Sequence, residues 1–521
     1  MGAPERGVVV HKSVALRPQA TTPVLVSQVA SSLGLEHRGP DAQVTGVALA
    51  SHVVMPGDLF VALRGVNRHG AEFWSDARAA GASAVLTDDD GVTLLDEPGV
   101  ALIHAENPRS LLGAVSAEIY GTGSQSLPTI LGVTGTNGKT STAFLLEAIM
   151  RALGAKTALS TTALRQVNGV TFPSTLTTPE APDIHAMIAR ASEEGVSAVA
   201  LEISAQALDK NRMDHVVCDV AGFTNLSHDH LEDFHTMENY LEAKAALFSA
   251  DKARQAVVCV DTVWGQTLAS RVDIPCTTLG RRGTVDAEWL WDIQEVSEGL
   301  TTLVLESPGV QALEIVVPLH GDHMISNTAL AILMVLRSGV SPADLSVVGP
   351  GTAGIPVFIP GRMEKVSGPR GPQVFVDAGR SADAYEQTLG ALRKSTSGRL
   401  IMVCGTSGNR DATKRPLMGR MAAQLADVVI ITDDDPRRED PDVIRAGLLE
   451  GARSVPGEVH EIPDPSEAIR FAVGLVGEGD TILWSGPGSQ DYRDIGGVKV
   501  PYSARAEAQQ ALADAGWVSP S

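Results

Sequence analysis

Apolar runs and helical segments alternate along most of the chain. Runs of buried-strand type cover residues 129–133, 197–203, 220–225 and 255–260, and residues 141–153 place apolar side chains at the spacing of a helix. Strands that are apolar throughout are typical of a parallel sheet with helices on both of its faces. The pattern therefore predicts an α/β fold built on a doubly wound sheet.

Changes in composition divide this pattern into three predicted domains. The first 125 residues carry short strand-like pieces and form a predicted small α/β module, which ends in a polar linker at residues 121–126. A stretch rich in Gly and Pro at residues 351–360 ends the central doubly wound region, and further apolar strands follow it. We predict domains at residues 1–125, 126–355 and 356–521, the last of them a Rossmann-like α/β domain.

Composition and charge exclude several classes of partner. A chain of 521 residues has room for about three domains, and its formal charge of −21 argues against nucleic acid or an anionic membrane, because both need a basic face. The cysteines form no Cys-x-x-Cys pair, residues 1–13 lack the apolar core of a signal peptide, and no segment reaches the roughly 18 apolar residues of a membrane span. We expect a cytoplasmic protein that is not inserted in a membrane.

A glycine-rich turn gives the clearest chemical signal. Residues 131–141 read LGVTGTNGKTS, with Val133 where the usual phosphate loop has its first glycine. Glycines let backbone N–H groups close around phosphate oxygens, while Lys139 supplies a cation and the Thr140 hydroxyl can ligate magnesium. A plain turn into a helix is the alternative. We predict a P-loop ATPase-like central domain that binds ATP and Mg²⁺ through Gly135, Thr136, Asn137, Gly138, Lys139, Thr140 and Ser141.

Three polar groups follow this loop along the chain. Glu202 ends an apolar strand, where open α/β sheets bind their ligands, so its carboxylate could hold magnesium or could simply cap a turn. Residues 228–235 carry three histidines and three acids, a cluster that suits a metal better than any single surface histidine does. Lys244 lies in a predicted helix among apolar neighbours, although a helix lysine is usually a solvated charge.

Together, these residues resemble the Mur ligases and their folylpolyglutamate synthetase relatives, which use ATP to join an amino acid to a carboxylate. The resemblance implies that Glu202 and His230 bind magnesium together with Thr140. It also implies that Lys244 is carbamylated, and that Lys139, Glu202, His230 and Lys244 form the catalytic set.

The same resemblance implies a nucleotide-sugar substrate. Thr177, Thr178, Ser204 and Arg212 match segments by which the members that add the third residue of the peptidoglycan stem peptide hold their UDP-muramoyl-dipeptide. Hydroxyls and a guanidinium suit carboxylate and pyrophosphate groups. Ser51 matches a residue that contacts uridine, although its neighbours Ala50 and His52 replace the usual Asp and Arg.

The last domain departs further from the family pattern. Asn327 and Asp377 match positions on the ATP side, while Met324 replaces an Asn and residues 377–383 keep only their two end acids. The incoming amino acid is expected to meet Asp435, Arg437 and Gln490. Diaminopimelate-adding members carry Asn and Glu where this chain has Asp435 and Gln490, so we expect lysine or ornithine in place of diaminopimelate.

The prediction is an ATP-dependent ligase that adds an amino acid to UDP-N-acetylmuramoyl-L-alanyl-D-glutamate through an acyl phosphate in peptidoglycan synthesis, and that acts as a monomer. Its partners are UDP-muramoyl-dipeptide and a free amino acid, with no nucleic acid. Two alternatives remain open: a folylpolyglutamate-type ligase, and a non-catalytic paralogue that binds nucleotide and has a regulatory role.

Overall fold

The computed structural model describes residues 16–95, 99–123, 127–174, 176–297, 300–319 and 321–517. Residues 1–13, where the sequence predicts no signal peptide, and residues 124–126 of the predicted linker lie outside these ranges. The chain divides into two compact units. The first comprises Met1–Gly132, Gly154–Asp219 and Ser249–Arg254, and the second comprises Val133–Leu153, Val220–Phe248 and Gln255–Ser521. The predicted boundaries near residues 125 and 355 stay predictions.

The strands are numbered in chain order. The first half of the chain contains β1 (Val24–Leu25), β2 (His37–Arg38), β3 (Gln43–Val44), β4 (Gly46–Ala48), β5 (Asp58–Ala62), β6 (Ala84–Thr87), β7 (Leu102–His104), β8 (Thr129–Thr134), β9 (Thr157–Ser160), β10 (Arg165–Val167), β11 (Val170–Phe172), β12 (Ala198–Glu202), β13 (Val220–Phe223) and β14 (Ala256–Cys259). The second half contains β15 (Cys276–Arg281), β16 (Trp289–Ser297), β17 (Leu300–Glu306), β18 (Leu313–Val317), β19 (Glu364–Lys365), β20 (Gln373–Asp377), β21 (Leu400–Cys404), β22 (Val428–Ile431), β23 (Glu458–Glu461), β24 (Thr481–Ser485), β25 (Tyr492–Ile495) and β26 (Val498–Pro501).

The α-helices are numbered in the same way. They are α1 (Val26–Ser32), α2 (Trp74–Ala79), α3 (Asp89–Leu95), α4 (Leu112–Tyr120), α5 (Lys139–Ala152), α6 (Ala181–Glu193), α7 (Ala205–Asp209), α8 (Leu231–Phe234), α9 (Met237–Ala245), α10 (Val263–Ala269), α11 (Asp322–Arg337), α12 (Ala382–Ser395), α13 (Lys414–Leu425), α14 (Pro441–Ala452), α15 (Pro465–Leu475) and α16 (Ala504–Asp514).

The first unit contains a sheet in the order β2-β7-β6-β5-β4, in which β4 to β7 are parallel and β2 is antiparallel. Every residue of β5 and β6 is buried because both faces of the sheet are covered. Leu86 packs with Val115 of α4 on one face, whereas Phe60 packs with Trp74 of α2 on the other. The same unit holds β9 and β12 as a parallel pair, with β10 and β11 added antiparallel beside β9.

The second unit contains two sheets. One follows the order β13-β14-β15-β16-β17-β18, in which the first four strands are parallel and β17 and β18 are antiparallel. The other follows the order β19-β20-β24-β21-β22-β23 and is parallel except for β19. Strand β8 is divided, with residues 129–132 in the first unit and 133–134 in the second.

These sheets confirm the predicted α/β fold class with parallel strands. The antiparallel extension β16 to β18 was not predicted, because β17 alternates buried and half-buried residues and gives a weaker apolar signal. Within the described ranges, no helix combines the length and the apolar character needed to cross a bilayer.

Candidate active site

The glycine-rich loop joins the end of β8 to the start of α5, and two of its glycines have positive φ. Gly135 has φ 145° and Gly138 has φ 87°. A Cβ on Gly135 would collide with the Thr224 hydroxyl, and one on Gly138 would collide with the Asn327 amide. Backbone conformation and close packing therefore both require glycine. The loop has the strand–turn–helix context of a phosphate site.

Two lysines meet one carbonyl oxygen of this loop. Lys139 Nζ donates to the Gly135 oxygen at 3.0 Å and to the Thr136 oxygen at 2.8 Å. Lys244 Nζ donates to the same Gly135 oxygen at 2.6 Å and lies 4.2 Å from the centre of the Tyr240 ring. Lys244 is only 1% exposed. Burial, together with the nearby Lys139 charge, lowers the pKa of Lys244 well below that of an ordinary lysine.

A second set of hydrogen bonds fixes the loop against the segment that follows β13. Asn225 Oδ1 accepts the Asn137 backbone N–H at 3.0 Å, and Thr224 Oγ1 donates to the Asn137 carbonyl at 2.6 Å. Ser227 N–H donates to Thr136 Oγ1 at 3.1 Å. Thr224 and Asn225 were not predicted site residues, although both end the predicted strand at residues 220–225.

Residues from the last third of the chain also contact the loop within the second unit. Arg362 Nη2 donates to Thr140 Oγ1 at 3.0 Å, and Asn137 Nδ2 donates to Asp383 Oδ2 at 2.7 Å. Arg362 therefore contacts the hydroxyl predicted to ligate magnesium. Neither Arg362 nor Asp383 was a predicted site residue. The only signal for Asp383 in the sequence was its place as one of the two acids that the 377–383 segment keeps from the family pattern.

The histidine cluster forms a compact set of possible metal ligands. Donor atoms of His230, Glu232 and Asp233 all lie within 4.8 Å of one another. In the part of the chain that the structure describes, His230 Nδ1 is buried without a hydrogen-bond partner. One imidazole and two carboxylates suit a divalent cation. His230, at φ 56°, follows Asp229, which forms an ion pair with Lys414 at 2.8 Å.

The predicted amino-acid residues surround a further set of unpartnered polar atoms. Within the described residues, Arg437 Nε, Gln490 Oε1 and Asp494 Oδ1 are buried without hydrogen-bond partners. Asp435 Oδ1 accepts the Asp494 N–H at 3.1 Å, and its Oδ2 lies 3.4 Å from Arg380 Nη2. Buried polar atoms that the chain leaves unsatisfied are typical of a site that binds a polar ligand.

Two residues predicted on the ATP side have different surroundings. Asn327, on α11, lies against Gly138 of the loop. Asp377, at the end of β20, accepts the Met363 N–H at 2.9 Å and the Gly379 N–H at 2.7 Å. Its carboxylate therefore holds two turns of the backbone, and its contact with ATP stays a prediction.

Glu202 lies in the first unit, at the end of β12, and is 3% exposed. Its carboxylate accepts the Thr162 N–H at 2.8 Å and the Thr162 hydroxyl at 3.2 Å. This turn-capping geometry matches the simpler interpretation of Glu202. Its role as a magnesium ligand stays a prediction.

Four predicted substrate residues come together near Glu202. The hydroxyl groups of Thr162 and Thr177 share a hydrogen bond at 3.0 Å, and Thr178 Oγ1 donates to the Glu202 carbonyl at 3.0 Å. The Ser204 N–H donates to Thr178 Oγ1 at 2.9 Å. Arg212 Nη1 donates to the Thr178 carbonyl at 3.2 Å, so Thr177, Thr178, Ser204 and Arg212 form one polar group.

Glu180 and Ser51 are two further residues of the first unit that bear on the predicted substrate site. Glu180 forms an ion pair with Arg212 at 2.9 Å and balances its charge, a partner that the sequence analysis did not assign. Ser51 begins a short 3-10 turn, Ser51–Val53, after β4. No hydrogen bond of the described residues joins Ser51 to the group around Thr178.

Three family models match successive parts of the chain. They are described as Mur ligase family, catalytic domain (residues 43–120), Mur ligase middle domain (133–335) and Mur ligase, glutamate ligase domain (361–488). Among curated relatives, a UDP-N-acetylmuramyl-tripeptide synthetase of Leifsonia xyli subsp. xyli is 48% identical over 97% of this chain and 99% of its own length. A UDP-N-acetylmuramoyl-L-alanyl-D-glutamate–2,6-diaminopimelate ligase of Streptomyces coelicolor is 38% identical over 95% of this chain and 98% of its own.

A solved structure agrees with these matches. The structure of a UDP-N-acetylmuramoyl-L-alanyl-D-glutamate–2,6-diaminopimelate ligase aligns with a TM-score of 0.62 and 26% identity, over 95% of this chain and 100% of that chain. The predicted resemblance is confirmed along the chain, from the N-terminal module to the last sheet. The chain belongs to the Mur ligase family and is an ATP-dependent ligase of peptidoglycan synthesis.

Proposed function

We propose that the protein joins an amino acid to the terminal carboxylate of UDP-N-acetylmuramoyl-L-alanyl-D-glutamate. The observation that carries the proposal is the glycine loop with Lys139 and Lys244 on a single carbonyl oxygen. A glycine-rich turn at the start of a helix, with two lysine side chains beside it, suits a triphosphate. Relatives that match nearly the full chain are named for reactions of this kind.

The chemistry would proceed in two displacements. An oxygen of the substrate carboxylate attacks the γ-phosphorus of ATP, the bond to the β-phosphate oxygen breaks, and ADP leaves. The amino group of the incoming amino acid then attacks the acyl carbon, an amide bond forms, and inorganic phosphate and a proton are released. Both steps depend chiefly on positioning and charge neutralisation.

Each predicted catalytic residue has a role in this scheme. Lys139 would bind the β- and γ-phosphates. Thr140, Glu202 and His230 would hold magnesium, which when bound neutralises phosphate charge. The lowered pKa of Lys244 leaves more of its amine neutral, the form that reacts with carbon dioxide, so carbamylation of Lys244 belongs to the proposal.

The other substrate residues divide between nucleotide sugar and amino acid. Thr177, Thr178, Ser204 and Arg212 would hold the muramoyl-dipeptide, and Ser51 would contact the uridine. Asp435, Arg437 and Gln490 would meet the incoming amino acid. Gln490 carries no charge for the distal amine of diaminopimelate, which supports lysine or ornithine. Asp435 supports this choice less than the sequence suggested, because Arg380 lies 3.4 Å from its carboxylate.

A phosphate-release assay with UDP-muramoyl-dipeptide, ATP and a panel of amino acids tests the proposal. We expect release that requires the dipeptide substrate and is fastest with lysine or ornithine. The Lys139→Ala variant is the negative control. Release with a pteroylglutamate substrate in place of UDP-muramoyl-dipeptide would indicate a folylpolyglutamate-type ligase, and the absence of release with every acceptor would indicate a non-catalytic protein. Strong preference for diaminopimelate would refute only the choice of amino acid.

A further inference from the structure

The contacts of Arg380 place a cation against the carboxylates of the predicted amino-acid site. Arg380 lies between β20 and α12, and its side chain is 25% exposed. Its Nη2 atom lies 2.7 Å from Asp434 Oδ2 and 3.4 Å from Asp435 Oδ2. Asp434 and Asp435 are 8% and 4% exposed, so solvent screens these pairs less than it screens pairs at the surface.

The two carboxylates have few other partners. Asp435 Oδ1 accepts one backbone N–H, from Asp494, at 3.1 Å. For the Asp434 side chain, Arg380 is the ion-pair partner within 4 Å among the described residues, and Arg493 donates instead to the Asp434 backbone carbonyl at 2.8 Å. Arg380 therefore balances charge that these two side chains would otherwise offer to a ligand.

A small enclosed space lies beside this ion pair. Its walls include Asp434, Gln490, Tyr492, Arg493 and Trp484. Gln490 Oε1, an acceptor without a hydrogen-bond partner among the described residues, is buried at the same place. A ligand amine that enters here meets either an Asp434 already paired with Arg380 or, if Arg380 is removed, an Asp434 carboxylate that has lost this ion pair.

The position of Arg380 also affects the cation predicted to bind a ligand carboxylate. The positive charges of Arg410 and Arg380 act with burial to lower the pKa of Arg437, so these guanidiniums lie in one field. Removing Arg380 would take one positive charge from this field, which weakens the attraction of the site for anionic ends, and would remove that ion pair from the two carboxylates, which then attract cationic ends more strongly. Both changes would shift the preference of the site toward lysine and away from diaminopimelate.

We propose that Arg380 is a positioning residue that sets amino-acid specificity by neutralising Asp434 and Asp435. The proposal rests on the ligase function proposed above. Arg380 holds the two carboxylates away from the side-chain amine of the incoming amino acid, and the Arg380–Asp435 pair acts as one unit. Replacing either Arg380 or Asp435 alone shifts the amino-acid preference, and replacing both returns that preference toward the native one.

The test compares kcat/KM for lysine with that for diaminopimelate. Arg380→Met should raise the lysine to diaminopimelate ratio by about tenfold, which corresponds to about 1.4 kcal/mol. Asp435→Asn should lower the ratio, because Arg380 then loses one of its two anionic partners. The double variant should lie within about threefold of the native ratio, because opposite charges have been removed together. Arg420→Met, at an exposed position on α13, is the matched control and should leave the ratio unchanged.

The possible outcomes separate the two proposals. A native protein that releases no phosphate with any amino acid would refute the ligase function and, with it, the role of Arg380. An active native protein whose ratio is unchanged in Arg380→Met and Asp435→Asn would refute the role of Arg380 alone. If Arg380→Met does not fold, Asp435→Asn and the double variant decide, since a purely structural Arg380 predicts lower activity with all amino acids and no change of ratio.

Discussion

Replacing Lys244 by Met should separate stability from activity. The Nζ atoms of Lys244 and Lys139 lie 2.6 Å and 3.0 Å from the same Gly135 oxygen. The two nitrogens are therefore less than about 6 Å apart, and two full positive charges at that distance repel by about 3 kcal/mol at an effective dielectric constant of about 20. Methionine has a similar length and carries no charge. It therefore removes this repulsion or, where Lys244 is neutral, the free-energy cost of deprotonating its buried amine.

The losses on this substitution are smaller than they first appear. A hydrogen bond worth about 1 kcal/mol disappears, and so does a cation–π contact with Tyr240 worth about 1 kcal/mol. The Gly135 carbonyl keeps its bond from Lys139, so no buried acceptor is left unpaired. We expect the free energy of unfolding of Lys244→Met to be equal to that of the native protein with an uncarbamylated Lys244, or about 1 kcal/mol higher.

Activity should respond in the opposite direction. If Lys244 carries a carbamate that positions the cations of the site, Lys244→Met should lower phosphate release at least about 100-fold, the range found when one preorganised electrostatic group is removed. Urea denaturation and the phosphate assay measure the two effects, with the exposed Lys210→Met as the control. A destabilisation above about 3 kcal/mol would identify Lys244 as a structural anchor, and activity within about twofold of native would show that the reaction does not use it.

Three further predictions test other parts of the molecule. Gly138→Ala should abolish binding in a fluorescent-ATP titration, because the new Cβ collides with Asn327 and φ is 87°; ordinary affinity would contradict this. Asp383→Asn should raise the KM for ATP by about three- to tenfold, because the 2.7 Å bond from Asn137 loses its charged acceptor; an unchanged KM would show that this contact does not shape the loop. Burial lowers the pKa of His185 from 6.5 to about 4, so the unfolded chain binds its proton first and stability should fall by about 3 kcal/mol from pH 7 to pH 4. Urea midpoints across this range should decline less steeply in His185→Gln, and equal slopes would remove His185 as the cause.

Local signals made much of the fold predictable. The strands β8, β12 and β13 are mostly apolar, so the predicted runs at residues 129–133, 197–203 and 220–225 match their bounds to within two residues. The turn from β8 into α5 was equally predictable, because its glycines and the Lys–Thr pair are adjacent residues. In each case, the information lies within about fifteen consecutive positions.

Contacts between distant parts of the chain were not predictable in this way. Arg362 reaches Thr140 and Asp383 reaches Asn137 across more than 200 residues of sequence. No periodicity or spacing encodes such a pair, because it depends on how separate elements pack. The same reason explains why Asp435 looked like a free carboxylate: its partner Arg380 is 55 residues away along the chain.

The segment from Asp377 to Asp383 shows why departures from a family pattern are a poor guide to lost function. Its first acid holds backbone turns, its last acid accepts a hydrogen bond from the phosphate loop, and Arg380 between them balances Asp434 and Asp435. An unbalanced buried charge costs several kcal/mol. Random loss of function would not be expected to add the Asp435 carboxylate and the Arg380 guanidinium in contact with each other. Together, Arg380 and Asp435 add no net charge to the site, so these two replacements favour a ligase with changed amino-acid specificity over a non-catalytic paralogue.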